Sequence, residues 1–241
     1  MIESLARRVI SWWFGKLILG GFAVLTSVRY GTGLYFWQET EKLERPTFHV
    51  IQKLSDGVEL RRYEPYLIAE TAVDGKGFRE PAKEGFQSCA RYIFGNNKPR
   101  HGIHDGEKMA MTAPVRISGE VATGEKMAMT APVRVKGGSE KTKVSFVIGS
   151  KYNLKTVPKP RERNIFIRQV AAHTLAVRTF SGPPPTDDRV QKERVRIEQA
   201  LKEAGLRSKQ KETLVYGYHD PFITPNFLRR NEVAVVIEGT V

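Results

Sequence analysis

Two stretches of this chain space their apolar residues as an α-helix does, and nearly everything around them alternates as β-strands do, so the order of those periods limits the fold. From Phe78 onward, Phe78, Ala82, Phe86, Ala90 and Ile93 recur at helical intervals, which predicts an amphipathic helix over 78–94 that Gly95-Asn96-Asn97 ends. The second begins after Pro183-Pro184-Pro185, with Thr186 or Asp187 as its cap, Val190, Ile197, Leu201 and Ala204 as its stripe, and Gly205 at its close. Ahead of the first helix, 50–54 and 58–63 flank Ser55-Asp56-Gly57, a turn needing a positive φ, and 66–73 follows as a third strand. Behind it come 144–148, then 165–170 and 174–180 around Ala171-Ala172-His173; after the second helix come 213–218 and 233–238, separated by a proline-containing loop at 220–230. Strands, helix, strands occurs twice. This predicts an α+β domain of two pseudo-repeated halves, whose sheets join into one distorted antiparallel β-barrel with one flanking α-helix from each half.

Between the halves the chain writes the same eleven letters twice, at Gly106 to Arg116 and at Gly124 to Arg134. Their starts are eighteen residues apart, too close for a solenoid or propeller unit, so this is a local duplication. Ile117 to Thr123 carries turn chemistry at Ser118-Gly119, and the expected form is two short strands joined by a loop. In that form Met109 and Met111 point one way and Lys108, Ala110 and Thr112 the other, with Met127 and Met129 repeating the arrangement. Four polarisable thioethers can line a pocket for a flat apolar ligand or fill gaps in a core, and packing is the commoner use.

The repeated Lys-Met-Ala-Met-Thr-Ala-Pro-Val pattern resembles the signature of the SOUL haem-binding protein family. Three further pieces agree in order: Val58 to Tyr66, then Ser145 to Ile148 with Tyr152 to Pro160, then Ala176 to Gly182. The resemblance covers 46–241. It implies the barrel fold and a non-catalytic carrier or buffer of haem or a related tetrapyrrole.

Against that implication the candidate site residues are weighed one by one. Met109, Met111, Met127 and Met129 would offer sulfur surface, while Phe78, Phe86 and Ile93 of the first helix, with Phe94 beside them, would form an apolar wall that is equally ordinary core. Two propionates would want cations at the rim, where Arg61, Lys108 and Lys126 are candidates, with Arg116 and Arg134 recurring beside them; all are equally solvated strand edges. His101 and His104 could meet a haem iron, but their spacing in a glycine-bounded loop fits solvated histidines better. His173 and His219 read as structural residues.

Composition narrows the partners. Lys and Arg total 39 against 26 Asp and Glu, a formal charge of +13, which attracts phosphate lipids, nucleic acid or ligand carboxylates. The basic residues lack interleaved aromatics and any nucleic-acid motif, so no nucleic-acid partner is expected. A lone Cys89 excludes an internal disulfide and a CxxC pair and reads as a buried thiol. No nucleophile elbow, zincin or phosphate-loop motif is present, so catalysis would rest on fold analogy alone, with Glu59, Tyr63 and Tyr216 as its residues.

Residues 1–45 differ from the rest. From Val9 to Val28 there is one charge, Lys16, in twenty residues, about the length of a membrane-spanning helix. Arg7, Arg8 and Lys16 outweigh Arg29, so the expected arrangement is a single N-terminal span with the domain on the non-cytoplasmic side. The aromatic cluster Tyr30, Tyr35, Phe36 and Trp37 reads as an interfacial belt and Glu39 to Pro46 as a polar linker; a cleaved signal peptide is the competing reading. A module holding a protein or anionic lipid near the membrane is the alternative function.

Overall fold

The computed structural model describes residues 27–74, 78–100, 106–120, 141–209 and 212–238. A helix, α1, occupies 27–41 of the described chain. Next come β1 (Phe48–Lys53), β2 (Val58–Tyr63), β3 (Tyr66–Asp74), helix α2 (Arg79–Ile93) and the short β4 (Asn97–Lys98). Then follow β5 (Val115–Glu120), β6 (Lys141–Ile148), the short β7 (Lys159–Pro160), β8 (Ile165–Val170) and β9 (His173–Phe180). Helix α3 (Asp187–Glu203), β10 (Glu212–Gly217) and β11 (Asn231–Val236) complete the order.

Nine strands form one antiparallel sheet in the order β1-β2-β9-β11-β10-β5-β6-β3-β8. The two halves expected from the periodicity are visible in that order. The run β3-α2-β5-β6 and the run β9-α3-β10-β11 each pair their strands in the same pattern, and they meet where β5 lies antiparallel to β10. One strand of each half crosses to the other: β2 pairs with β9 and β8 pairs with β3. That exchange ties the halves through main-chain hydrogen bonds. Among the described residues the sheet does not close; β1 and β8 remain its edges, and the result is a curled half-barrel where a closed barrel was expected.

Strand alternation sends one set of side chains toward the helices and the other away from them. On the helix side, α2 packs Cys89, Tyr92 and Ile93 against Leu67, Ala69 and Phe146. On the same side, α3 packs Val190, Ile197 and Leu201 against Val58, Leu60 and Val233. Ala204 of the expected stripe is exposed, and Glu193 is the buried charge within it, 1% exposed and held by Arg178 and by Arg189 at 2.6 Å. Thr186 caps α3 by accepting a hydrogen bond from the Arg189 amide. Asp56 and Gly57 take positive φ in the β1–β2 turn, as that turn requires. Cys89 is fully buried, its thiol pushed up to about 12 by burial, consistent with a small hydrophobe.

Three expectations are corrected. The first repeat is not a strand across 106–111: the Met109 amide donates to Ile93 O at 2.9 Å, which docks the segment on the end of α2. β5 starts only at Val115 and runs through Ser118-Gly119, the residues expected to turn, because Leu214 and Lys143 pair with Ser118 from either side. Glu39 to Pro46 is not a free linker, since its first residues end α1 and Ala113 N donates to Glu44 O at 3.0 Å. The expected span Val9–Val28 lies outside the described residues except for its last two positions, and among the described residues no helix is long and apolar enough to cross a membrane.

Candidate functional site

The face of the sheet turned away from α2 and α3 is built from the alternate residues of the same strands. Tyr63 of β2, Leu175 and Val177 of β9, Ala234 of β11 and Leu214 and Tyr216 of β10 form its apolar floor. Tyr66 and Tyr218, at strand ends, and Phe48 of β1 rise beside it, so one face gathers four tyrosines and a phenylalanine from four strands. His173 stacks on Tyr63 with centroids 5.4 Å apart. The segment 43–47 crosses this face as a strap: Leu43 packs on the cluster, and Glu44 Oε1 accepts from Ser150 N at 2.6 Å.

Two hollows adjoin beneath and beside the strap, and Arg45, Pro46, Tyr66 and Val147 line both. The smaller, about 140 Å³, is walled by Tyr63, Tyr66, Tyr216, Tyr218 and Phe48, with Arg45 and Arg230 at its edge. The larger, about 280 Å³, lies between the strap, Glu64 to Leu67 and the loop at Ser150 to Leu154.

Under the tyrosines sits a buried charge network. Glu232 is fully buried and accepts from Arg61 Nη1 at 2.8 Å, Arg230 Nη2 at 2.7 Å, Thr179 Oγ1 at 3.1 Å and the Tyr218 hydroxyl at 2.6 Å. Burial alone would raise its pKa, but Arg61 and Arg230, helped by Tyr218, hold the carboxyl below its ordinary value, so it stays ionised. Arg61 also binds Glu59 at 2.7 Å and lies over the Phe48 ring at 4.7 Å. Tyr218 has guanidinium groups near its ring from Arg45 at 5.2 Å and Arg230 at 4.6 Å. Burial, with Glu232 second, pushes the Tyr63 hydroxyl up to about 12. Burial likewise raises Tyr216 and Tyr218 well above their ordinary value, so these phenols are neutral donors at physiological pH and not phenolates.

Some donors here lack acceptors. Arg45 Nε and Arg116 Nε are buried without a hydrogen-bond partner, as are the Ser118 and Ser145 hydroxyls on the same face. Arg116 reaches Glu70 only at 4.0 Å. Arg45 Nη2 already pairs with Glu41 Oε2 at 2.9 Å, so what Arg45 keeps for an anion brought by a ligand is its buried Nε edge.

The residues singled out in the sequence fall in three places. Met109 is 5% exposed in the α2 core with Tyr92, Ile93 and Phe146, Met111 packs at its margin, and Phe78 is buried against α3, so these contribute to packing on the helix side. Phe86 is 43% exposed and meets Phe146 edge-on at 5.1 Å, and Lys108 is exposed. Arg61 lies on the tyrosine face, as do Arg116 and the Glu59, Tyr63 and Tyr216 named for catalysis by fold analogy. His101, His104, Lys126, Met127 and Met129 lie outside the described residues. Neither hollow is lined by His, Cys or Met, and among the described residues no group of three His, Cys, Asp or Glu is placed to hold a metal ion. Glu232, Tyr218 and Arg230 were not singled out by sequence. The available signal was one charge, Glu232, just ahead of the apolar run Val233 to Val236.

An antiparallel sheet with two helices on one face and a strapped aromatic trough on the other, assembled from two strand-exchanged halves, defines a ligand-binding α+β domain. The chain belongs to the SOUL haem-binding protein family, whose model matches residues 43–122 and 116–236. It is similar to heme-binding protein 2 of Mus musculus, 26% identical over 202 residues that cover 82% of this chain and 88% of that protein. It is also similar to heme-binding protein 2 of Homo sapiens, 27% identical over 179 residues that cover 74% and 77%. In fold it resembles a hydrolase from Listeria innocua, at 9% identity with a TM-score of 0.51 over 84% of this chain and 98% of that one. The EcmrR C-terminal domain likewise aligns with a TM-score of 0.51 at 10% identity, over 76% and 98%.

Proposed function

We propose that the chain binds haem or a related tetrapyrrole on the tyrosine face and acts as a non-catalytic carrier or buffer, kept near a membrane by its N-terminal apolar run. The observation that carries the site is the pairing of an aromatic trough with buried arginine donors that lack acceptors, Arg45 Nε above all, because Arg45 lines both hollows. A flat ring carrying carboxylates answers both features: tyrosine faces stack on the ring, and the carboxylate accepts from Arg45. Pro46 and Tyr66, which line both hollows, would lie against such a ring. A bound haem would supply a redox-active, strongly absorbing ring; the protein residues stack on it, pair with its carboxylates and exclude water. Because no described His, Cys or Met lines either hollow, ring stacking and ion pairing carry the affinity there; His101, His104, Met127 and Met129 stay as candidates for the iron, and Lys126 for a propionate.

The names of the relatives agree with this reading. The site does not favour hydrolysis. The Glu232 oxygens already accept from Arg61, Arg230, Thr179 and Tyr218, and a carboxylate held below its ordinary pKa is a poor general base.

Absorbance titration of the full chain with haemin tests the proposal. Saturable one-to-one binding is expected, with affinity about tenfold weaker in Arg45→Met, the loss of roughly one charge-assisted hydrogen bond, and unchanged in Lys108→Met. Absence of a saturable Soret shift in the wild type rejects ligand binding, and equal affinity in Arg45→Met with a loss in Lys108→Met moves the ligand to the helix side.

A further inference from the structure

The loop between β10 and β11 carries the most exposed aromatic residue among the described large hydrophobics, Phe222 at 81%, with Phe227 at 67% and Ile223 at 37%. The loop is built to hold them there. Asp220 Oδ1 accepts from the amides of Phe222 and Ile223 at 2.7 and 2.9 Å, and Arg229, 8% exposed, donates to Thr224 O at 2.7 Å and to Pro221 O. Helix α1 packs directly on this loop: a Cβ on Gly33 would lie 2.7 Å from Pro225 Cδ, so only glycine permits the approach, and Tyr30 meets Phe227 with ring centroids 6.5 Å apart. The same helix leaves Val28, Leu34, Tyr35 and Phe36 exposed. Residues about 190 positions apart in sequence therefore meet, with Tyr30 against Phe227 and Gly33 against Pro225.

We propose that this patch, Phe222, Ile223 and Phe227 with the exposed side of α1, inserts into the interfacial layer of a phospholipid membrane as a second contact, separate from any N-terminal span. Rigid, rim-placed aromatics are the residues that settle at the headgroup level. A patch left exposed on a protein is itself a sign of an interaction surface. Two observations select lipid over a protein partner. α1 leads back into the run Val9–Val28, which holds one charge in twenty residues, so the patch stands where that run joins the domain. Arg29 on the same helix is exposed, a cation that suits an anionic headgroup. The inference needs no tetrapyrrole, and it deepens the membrane part of the proposed function in a way that can fail while a tether still holds.

Cys89 is fully buried with its thiol pushed up to about 12, so single cysteines placed elsewhere can be labelled selectively. Full-chain Phe222→Cys and Phe227→Cys, each carrying an environment-sensitive fluorophore, are bound to vesicles of phosphatidylcholine with phosphatidylglycerol. Val195→Cys, at the 56% exposed position on α3, serves as control. The expected result is a blue shift and quenching by spin-labelled lipid at 222 and 227, with at least about fivefold protection from aqueous iodide relative to 195, as burial of the loop tip in the interface requires. Iodide access equal at all three positions with no quenching by labelled lipid, on vesicles that carry the protein, overturns the proposal and leaves a tether alone. A blue shift that needs no vesicles and grows with protein concentration also overturns it, since the patch would then be covered by a second copy of the chain.

Discussion

Replacing Glu232 by Gln keeps the side chain's shape and removes its charge. In the folded protein that carboxylate is 0% exposed and compensates two guanidinium groups, Arg61 at 2.8 Å and Arg230 at 2.7 Å. Arg61 is 4% exposed, and its remaining partner, Glu59, is 28% exposed, so solvent cannot replace the lost charge. Taking one partner from a buried ion pair costs about 3–5 kcal/mol, whereas a surface pair such as Lys42 with Glu39 is screened by solvent and contributes little. Glu232→Gln should therefore lower stability by about 3–5 kcal/mol in urea unfolding followed by circular dichroism, and Glu39→Gln should leave it almost unchanged. Arg61→Met combined with Glu232→Leu should cost less than the sum of the two single changes, because neither charge is then stranded. Ligand affinity should move the other way: with Glu232 neutral, Arg230 at the trough edge is free for a carboxylate, and haemin should bind several-fold tighter to the folded fraction. A loss in stability below about 1 kcal/mol for Glu232→Gln would refute the assignment of this network as the buried electrostatic centre of the tyrosine face.

Two further outcomes follow from the packing. Met109→Ala should lower stability by about 2–5 kcal/mol, as for a buried side chain in a close-packed core, and leave haemin affinity of the folded protein unchanged; weaker binding without loss of stability would put that sulfur at the ligand. His173 and His219 both have pKa values lowered by burial first, and for His219 the neighbouring Glu41 opposes the shift without reversing it. A base with a depressed folded pKa favours folding above its unfolded value and disfavours it as pH falls, so the urea midpoint should decline below about pH 6.5, where unfolded histidine begins to charge. His173→Asn with His219→Asn should flatten that decline, and an unchanged slope in the double variant would assign it elsewhere.

Helices and halves were legible because they are written in local periodicity. Phe78 to Ile93 and Val190 to Leu201 announce α2 and α3 within a few residues of their ends, and Gly57 announces a turn that only a positive φ closes. The exchange of β2 and β8 was not legible, since an alternating strand such as Val58–Tyr63 fits equally well beside β3 or beside β9, and the choice is made by contacts across more than a hundred residues. The same distance hid the site. Arg61 and Glu232 stand 171 residues apart, and nothing local to either marks the other as its partner. The repeat left the methionines open between packing and ligand contact. Met109 is apolar and repeated, and both properties describe a core residue as well as a ligand contact; only its hydrogen-bonded place at the end of α2 decides between them. The aromatic cluster before the domain reads as an interfacial belt, but the meeting of Tyr30 with Phe227 needed the fold.

Hydrogen–deuterium exchange of the full chain with and without haemin asks most directly where a ligand sits. The account predicts slower exchange at the strap amides of Arg45 and Thr47 and around Tyr218, with no change at Met109 or along α2. Protection confined to 106–111 and α2, with the strap exchanging as before, would contradict it.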